Sequence, residues 1–121
     1  MPALVQGLAD ESLNVQGMVF EALAGFGSLA VPHLIPALQH ENAQVRELAA
    51  GALGDIGDAQ AVAALIETLA DERWPIRFAA ADALRQIGDA QAAEPLRRLL
   101  DDADSRVRSM AAAALKQLGA A

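Results

Sequence analysis

With 121 residues, 54% of them hydrophobic and none of them Cys or Tyr, the chain can fill the core of one domain but has no means of forming a disulfide or a thiolate. Its net charge of −7 disfavours nucleic acid, because phosphate binding needs a surplus of Lys and Arg on one face. No apolar run approaches the ~18 residues needed to span a bilayer and the opening MPALVQGLADES lacks a basic n-region, so the expectation is a cytoplasmic protein without a membrane partner.

Ala dominates the apolar set, which favours helices packed through small side chains over a β-sandwich. In chain order, the spacing predicts eight helices at roughly 2–8, 13–26, 30–39, 43–56, 59–70, 74–87, 90–100 and 105–118. The first carries Leu4, Val5 and Leu8, a pattern that returns as Leu34, Ile35 and Leu38 in the third. The fourth shows a one-sided stripe of Val45, Ala49, Ala52, Leu53 and Ile56, closed by Gly57 at the place of a left-handed C-cap. Gly27, Gly88 and Gly119 close the second, sixth and eighth helices in the same way, and Ser12, Asn42 and Asp104 are suitable N-caps. Short connections imply antiparallel neighbours.

The stripes are copies of one another. VRELAAGALGDIGDAQA from Val45, IRFAAADALRQIGDAQA from Ile76 and VRSMAAAALKQLG from Val107 start 31 residues apart, and the looser VQGMVFEALAGFG from Val15 lies 30 residues before the first. A fixed period near 30 means that one two-helix unit is stacked repeatedly. The units run 10–39, 40–70 and 71–101, with half repeats at 1–9 and 102–121, in a single domain covering 1–121. Val-Arg, the Ala run, Ala-Leu, Ile-Gly-Asp and then Ala-Val and Leu-Ile resemble the HEAT-like repeat, in the short form of the phycobilin-lyase-type family. The resemblance implies an all-α, right-handed α-solenoid whose second helices line a concave face and whose members mostly bind other proteins, with a minority of enzymes.

Arg46, Arg77 and Arg108 follow the repeating Val or Ile, and Asp58 and Asp89 follow the repeating Gly, whereas the first unit has Gln16 and Ser28 at those two places. Joint loss suggests a ladder of charge-assisted hydrogen bonds between helix starts and inter-helix turns. Trp74 and Phe78 map onto Ala43 and Glu47, which on a helical wheel point away from the stripe, so the pair is expected on an exposed ridge, with Arg85 further along the same line and Asp82 beside it. The second-helix face should present His33, Pro36, His40, Glu67, Asp71 and Arg98, a mixed lining that suits a protein or peptide better than a small molecule.

No catalytic, cofactor or metal residues are expected. His33 and His40 stand seven apart on one expected helix, about 10.5 Å along its axis, too far to share one ion without other ligands. Hydroxylases built on this repeat hold a di-iron centre through His-Glu pairs just after the Val-Arg position, where this chain has Glu47-Leu48, Phe78-Ala79 and Ser109-Met110. Carboxylate pairs at Asp10-Glu11, Asp71-Glu72 and Asp101-Asp102 recur at repeat junctions, beside helix starts that favour negative charge. The leading expectation is therefore a non-catalytic scaffold that binds a protein or peptide. The alternative is a subunit or fragment of a phycobilin-lyase-like or other modifying enzyme. The last helix, with Leu115, Leu118 and Met110, is expected to leave an apolar edge open for pairing with a second copy.

Overall fold

A computed structural model describes residues 26–120, so the expected helices at 2–8 and 13–26, with Ser12 and Gln16, lie outside the described residues. Six α-helices appear among those described: α1 (Val31–Leu34), α2 (Ala43–Ile56), α3 (Val62–Thr68), α4 (Trp74–Ile87), α5 (Ala93–Arg98) and α6 (Ser105–Gln117). The short α1, α3 and α5 are lengthened by 3-10 turns at Gly27–Ala30, Pro36–Gln39, Ala59–Ala61, Ala90–Ala92 and Leu99–Asp101.

Local chemistry sets these boundaries. Asn42 and Asp104 accept from the N–H of Gln44 and Arg106 and so cap α2 and α6 as expected. At α4 the N-cap is Arg73, without a side-chain cap, and Pro75 sits in the first turn, where its missing N–H leaves no donor unsatisfied. Gly57 and Gly88 end α2 and α4 with φ of 77° and 75°, a conformation that costs a side-chain-bearing residue strain.

The first helices α2, α4 and α6 stack in one layer, and α1, α3 and α5 form the other. Between the layers, each repeat position makes a column: Val45, Ile76 and Val107; Leu53, Leu84 and Leu115; Leu34, Leu65 and Leu96, all buried. Ala49, Ala80 and Ala111 and then Ala52, Ala83 and Ala114 fill the tight places between them. Because each unit buries its apolar face only against its neighbours, the sequence period becomes a helical solenoid.

The ends differ from the expectation. Leu115 is only 2% exposed, because it belongs to the inter-layer column, and Met110 and Leu118 pack against the core. What the last unit exposes is Leu100, 41% open where its equivalents Leu38 and Leu69 are buried by a following unit. At the neighbouring position, Ile35 and Ile66 give way to Arg97, whose guanidinium reaches Glu94 and the carbonyl of Ala120.

Candidate functional site

A cleft of ≈ 570 Å³ opens on the second-helix face between α1 and α3. Ile35, Leu38 and Ala64 supply its apolar surface, Gln39, Glu67, Thr68 and Glu72 its polar one, and Arg46 and Asp71 close one end. Glu67 and Glu72 are exposed, and neither carboxylate enters an ion pair among the described residues. Thr68 is buried, with its hydroxyl spent on the carbonyl of Ala64, so it offers its methyl rather than a donor.

The closed end belongs to a ladder that runs the length of the described repeats, with partners other than those expected. Arg46 donates through Nε to Asp71 Oδ2 at 2.8 Å and through Nη1 to the carbonyl oxygens of His40 and Glu41. Arg77 repeats this one unit on, to Asp102 Oδ1 and Oδ2 at 2.8 and 3.1 Å and to the Asp71 carbonyl. Arg108 donates to the Asp102 carbonyl in the same way. The carboxylates of the ladder are thus Asp71 and Asp102, at the start of each following unit. Asp58 and Asp89 instead accept from the backbone N–H of Gln60 and Gln91 and start the 3-10 turns. The reason is reach: a guanidinium at the start of a first helix faces the junction turn of the next repeat, whereas the Gly-Asp turn lies at the far end of that helix.

One ladder carboxyl, that of Asp102, titrates low. At Asp102, burial pushes the pKa up, but the Arg77 hydrogen bond, the Asp104 N–H and the Arg77 charge outweigh it and hold the group below its ordinary 3.8. Hydrogen bonding from the Arg106 side chain brings Asp104 down to about 2. Asp58 is lowered first by the Ser28 hydroxyl and then by the Gln60 N–H.

Of the six second-helix residues expected on one face, only Glu67 and Asp71 line the cleft. Asp71 is not free to contact a partner, since its two oxygens are taken by Arg46 and by the N–H of Arg73. His40 does not share a helix with His33: it stands past the last turn in extended backbone, with Nδ1 accepting from the N–H of Asn42. It fills the position that Asp71 and Asp102 hold in later units and makes the same turn bond with an imidazole nitrogen. His33 is half-buried on α1, and Pro36 and Arg98 are exposed outside the cleft.

Trp74, Phe78 and Arg85 correct the ridge expectation. They lie along the side of α4 that faces α6, a line that also contains the fully buried Ala81. Trp74 and Phe78 are half-buried and pack against the core, their rings edge-to-face at 6.4 Å between centroids. The guanidinium of Arg106, from α6, covers Trp74 at 3.5 Å from the ring centroid. Arg85 pairs with Asp82 and reaches Gln117 of α6. A wheel centred on the inter-layer stripe cannot separate a solvent-facing side from one facing the next repeat, so the aromatic pair belongs to the seam between repeats. Replacing Trp74 and Phe78 together by Ser is expected to lower the thermal midpoint while leaving far-UV helicity intact. An unchanged midpoint would mean that the rings do not hold the seam.

The sequence pattern missed the cleft's floor, because Ile35 and Leu38 carry the same helical spacing as core residues. It also missed Gly54, on the α2 side of the α2–α4 seam: a Cβ there would lie 2.8 Å from the Ala83 Cα.

Stacked two-helix units with a cleft on the second-helix face define an α-solenoid repeat protein. Residues 1–85 and 31–116 match the HEAT repeats family, and the chain belongs to it. Among solved structures, it is similar to human deoxyhypusine hydroxylase in complex with glycerol, with 27% identity and a TM-score of 0.84 over 97% of this chain and 42% of that one. It is also similar to the complex of CpcE and CpcF of phycocyanin lyase from Nostoc sp. PCC7120, with 24% identity and a TM-score of 0.87 over 98% and 77%. A designed armadillo repeat protein in complex with the peptide (KR)4 superposes with a TM-score of 0.72 at 20% identity, over 97% and 63%. The chain spans less than half the length of the hydroxylase it resembles. A search of curated proteins found no match. Among the described residues, no helix is long and apolar enough to cross a membrane.

Proposed function

We propose that this HEAT repeat chain is a non-catalytic interaction module that takes a protein or peptide segment along its second-helix face. The observation that carries the reading is the cleft between α1 and α3: an open trough with an aliphatic floor and an acidic rim, sized for side chains of an extended segment. The titratable groups described are engaged in caps, turns and the Arg–Asp ladder or stand apart on the surface, and among the described residues no three His, Asp or Glu side chains converge on one point. The designed armadillo protein bound to (KR)4 supports a peptide occupant on a similar scaffold. A cytoplasmic setting accords with the cysteine-free composition.

Photo-crosslinking from single positions tests the assignment. A benzophenone side chain at Gln39, in the cleft, is expected to capture a discrete partner in source-cell extract, and one at Asp55, exposed on α2, is not. Equal capture from both positions would overturn the reading.

The second reading, a subunit or piece of a modifying enzyme, draws on the likeness to the hydroxylase and to the lyase complex. A change in the absorption spectrum of a bilin mixed with the chain would favour it over the non-catalytic module. Pairing of two copies through the last unit would bury the exposed Leu100, and a mass that rises with concentration in light scattering would support it.

A further inference from the structure

Glu67 and Arg98 occupy the same repeat position, 31 residues apart, on the adjacent second helices α3 and α5. Both are exposed, and neither forms an ion pair among the described residues. Successive units of a two-helix stack are offset by about one helix diameter, roughly 10 Å, which is the span of three residues of extended chain at ~3.3 Å each. Two opposite charges at that spacing form a ruler for a segment laid across the helices.

The cleft gives the acidic end of the ruler a specific chemistry. Its floor of Ile35, Leu38 and Ala64 is aliphatic, while Glu67 and Glu72 stand at the rim. That combination suits a Lys or Arg side chain, whose methylene stem lies along apolar surface while its charged head stays at the carboxylates. One repeat further on, Glu72 is replaced by Ala103, Glu67 by Arg98 and Ala70 by Asp101, so the pair of glutamates is lost and Arg98 presents a cation to an acidic side chain, beside Asp101.

We propose that the second-helix face recognises an extended peptide carrying a Lys or Arg three residues from an Asp or Glu, the cation in the α1–α3 cleft and the carboxylate at Arg98. The proposal rests on the interaction-module reading and adds the charge pattern of the partner. Each exposed ion pair is worth about a two- to five-fold change in affinity, so the pattern selects among peptides while the cleft supplies the seat.

The test is selection of a random eight-residue peptide library on the intact chain, repeated on the charge-exchanged double variant Glu67→Arg/Arg98→Glu and on the cleft-filling Ala64→Arg. Circular dichroism establishes that each variant keeps its helices. The wild-type chain is expected to enrich peptides with one order of basic and acidic residues at a three-residue interval, and the exchanged variant the opposite order. For a synthetic peptide taken from the wild-type selection, anisotropy is expected to show a loss of at least four-fold on the exchanged variant, both pairs being reversed. Peptides that disappear with Ala64→Arg but show no charge order, or the same order on the exchanged variant, would overturn the charge pattern and leave the interaction module standing. Absence of any peptide sensitive to Ala64→Arg would overturn both.

Discussion

Arg77→Ala is expected to cost about 3 kcal/mol of folding stability, read as a lowered urea midpoint with an unchanged slope. Arg77 makes three charge-assisted bonds, two to the Asp102 carboxylate and one to the Asp71 carbonyl, and so joins two junction turns to the start of α4. With its side chain only 15% exposed and that of Asp102 8%, removal of the cation leaves a carboxylate desolvated without its partner. Arg77→Lys should recover only part of the loss, because an ammonium cannot span both carboxylate oxygens and the carbonyl in one plane. The same ladder predicts acid sensitivity. The folded-state pKa of Asp102 is depressed, so its stabilising contribution is complete above the ordinary carboxylate value and is lost as pH falls through the folded value. The urea midpoint is therefore expected to drop steeply below about pH 4, and less steeply in Asp102→Asn, which starts from a lower midpoint at neutral pH. Parallel curves for the two proteins would show that the ladder does not control acid unfolding.

The second large effect is at Gly54, where the sign of a Gly-to-Ala change depends on the neighbouring helix. Gly51 and Gly54 are both interior to α2. A Cβ at Gly51 meets nothing within 4 Å, while one at Gly54 falls 2.8 and 2.9 Å from Cα and Cβ of Ala83 on α4. Gly51→Ala is expected to stabilise by about 0.5–1 kcal/mol, the helix-propensity gain. Gly54→Ala is expected to destabilise by about 1–3 kcal/mol, because the methyl meets backbone and the two helices must part. Thermal midpoints of the two variants should move in opposite directions, and a rise for both would show that the α2–α4 seam yields easily. At the next seam Gly54 is replaced by Arg85, and Trp74 and Phe78 stand at the positions of Ala43 and Glu47. Close approach in one seam and large side chains in the next make the stacking non-uniform, which shapes the second-helix face on which the cleft opens.

How much was legible in advance can be judged from particular residues. Periodicity fixed α2, α4 and α6 within a residue, since apolar spacing, Asn or Asp caps and a terminal Gly are local physics, whereas the expected helices at 30–39, 59–70 and 90–100 are short α-helices continued by 3-10 turns. The ladder was legible in the recurrence of Arg46, Arg77 and Arg108 at one repeat position, but its partners were not, and the joint loss at Gln16 and Ser28 pointed to the wrong carboxylates: Asp58 and Asp89 cap turns, while the arginines reach Asp71 and Asp102 of the next repeat. For the cleft, the sequence supplied Glu67 and Asp71, yet it could not say that Arg46 already holds Asp71 or that Ile35 and Leu38 line the cleft floor.

By itself, then, the sequence determined the repeated two-helix unit and the columns of buried Leu, Val and Ile, because these depend on interactions within one unit or on a pattern that every unit shares. Only the tertiary structure decided what lies between units: the pairing of Arg46 and Arg77 with the following junction, the packing of Trp74 against Phe78 and beneath Arg106, the close approach at Gly54 and the cleft. Those features depend on the distance and angle at which one unit rests on the next, which are set by the packing of many side chains at once and are written at no single position of the repeat.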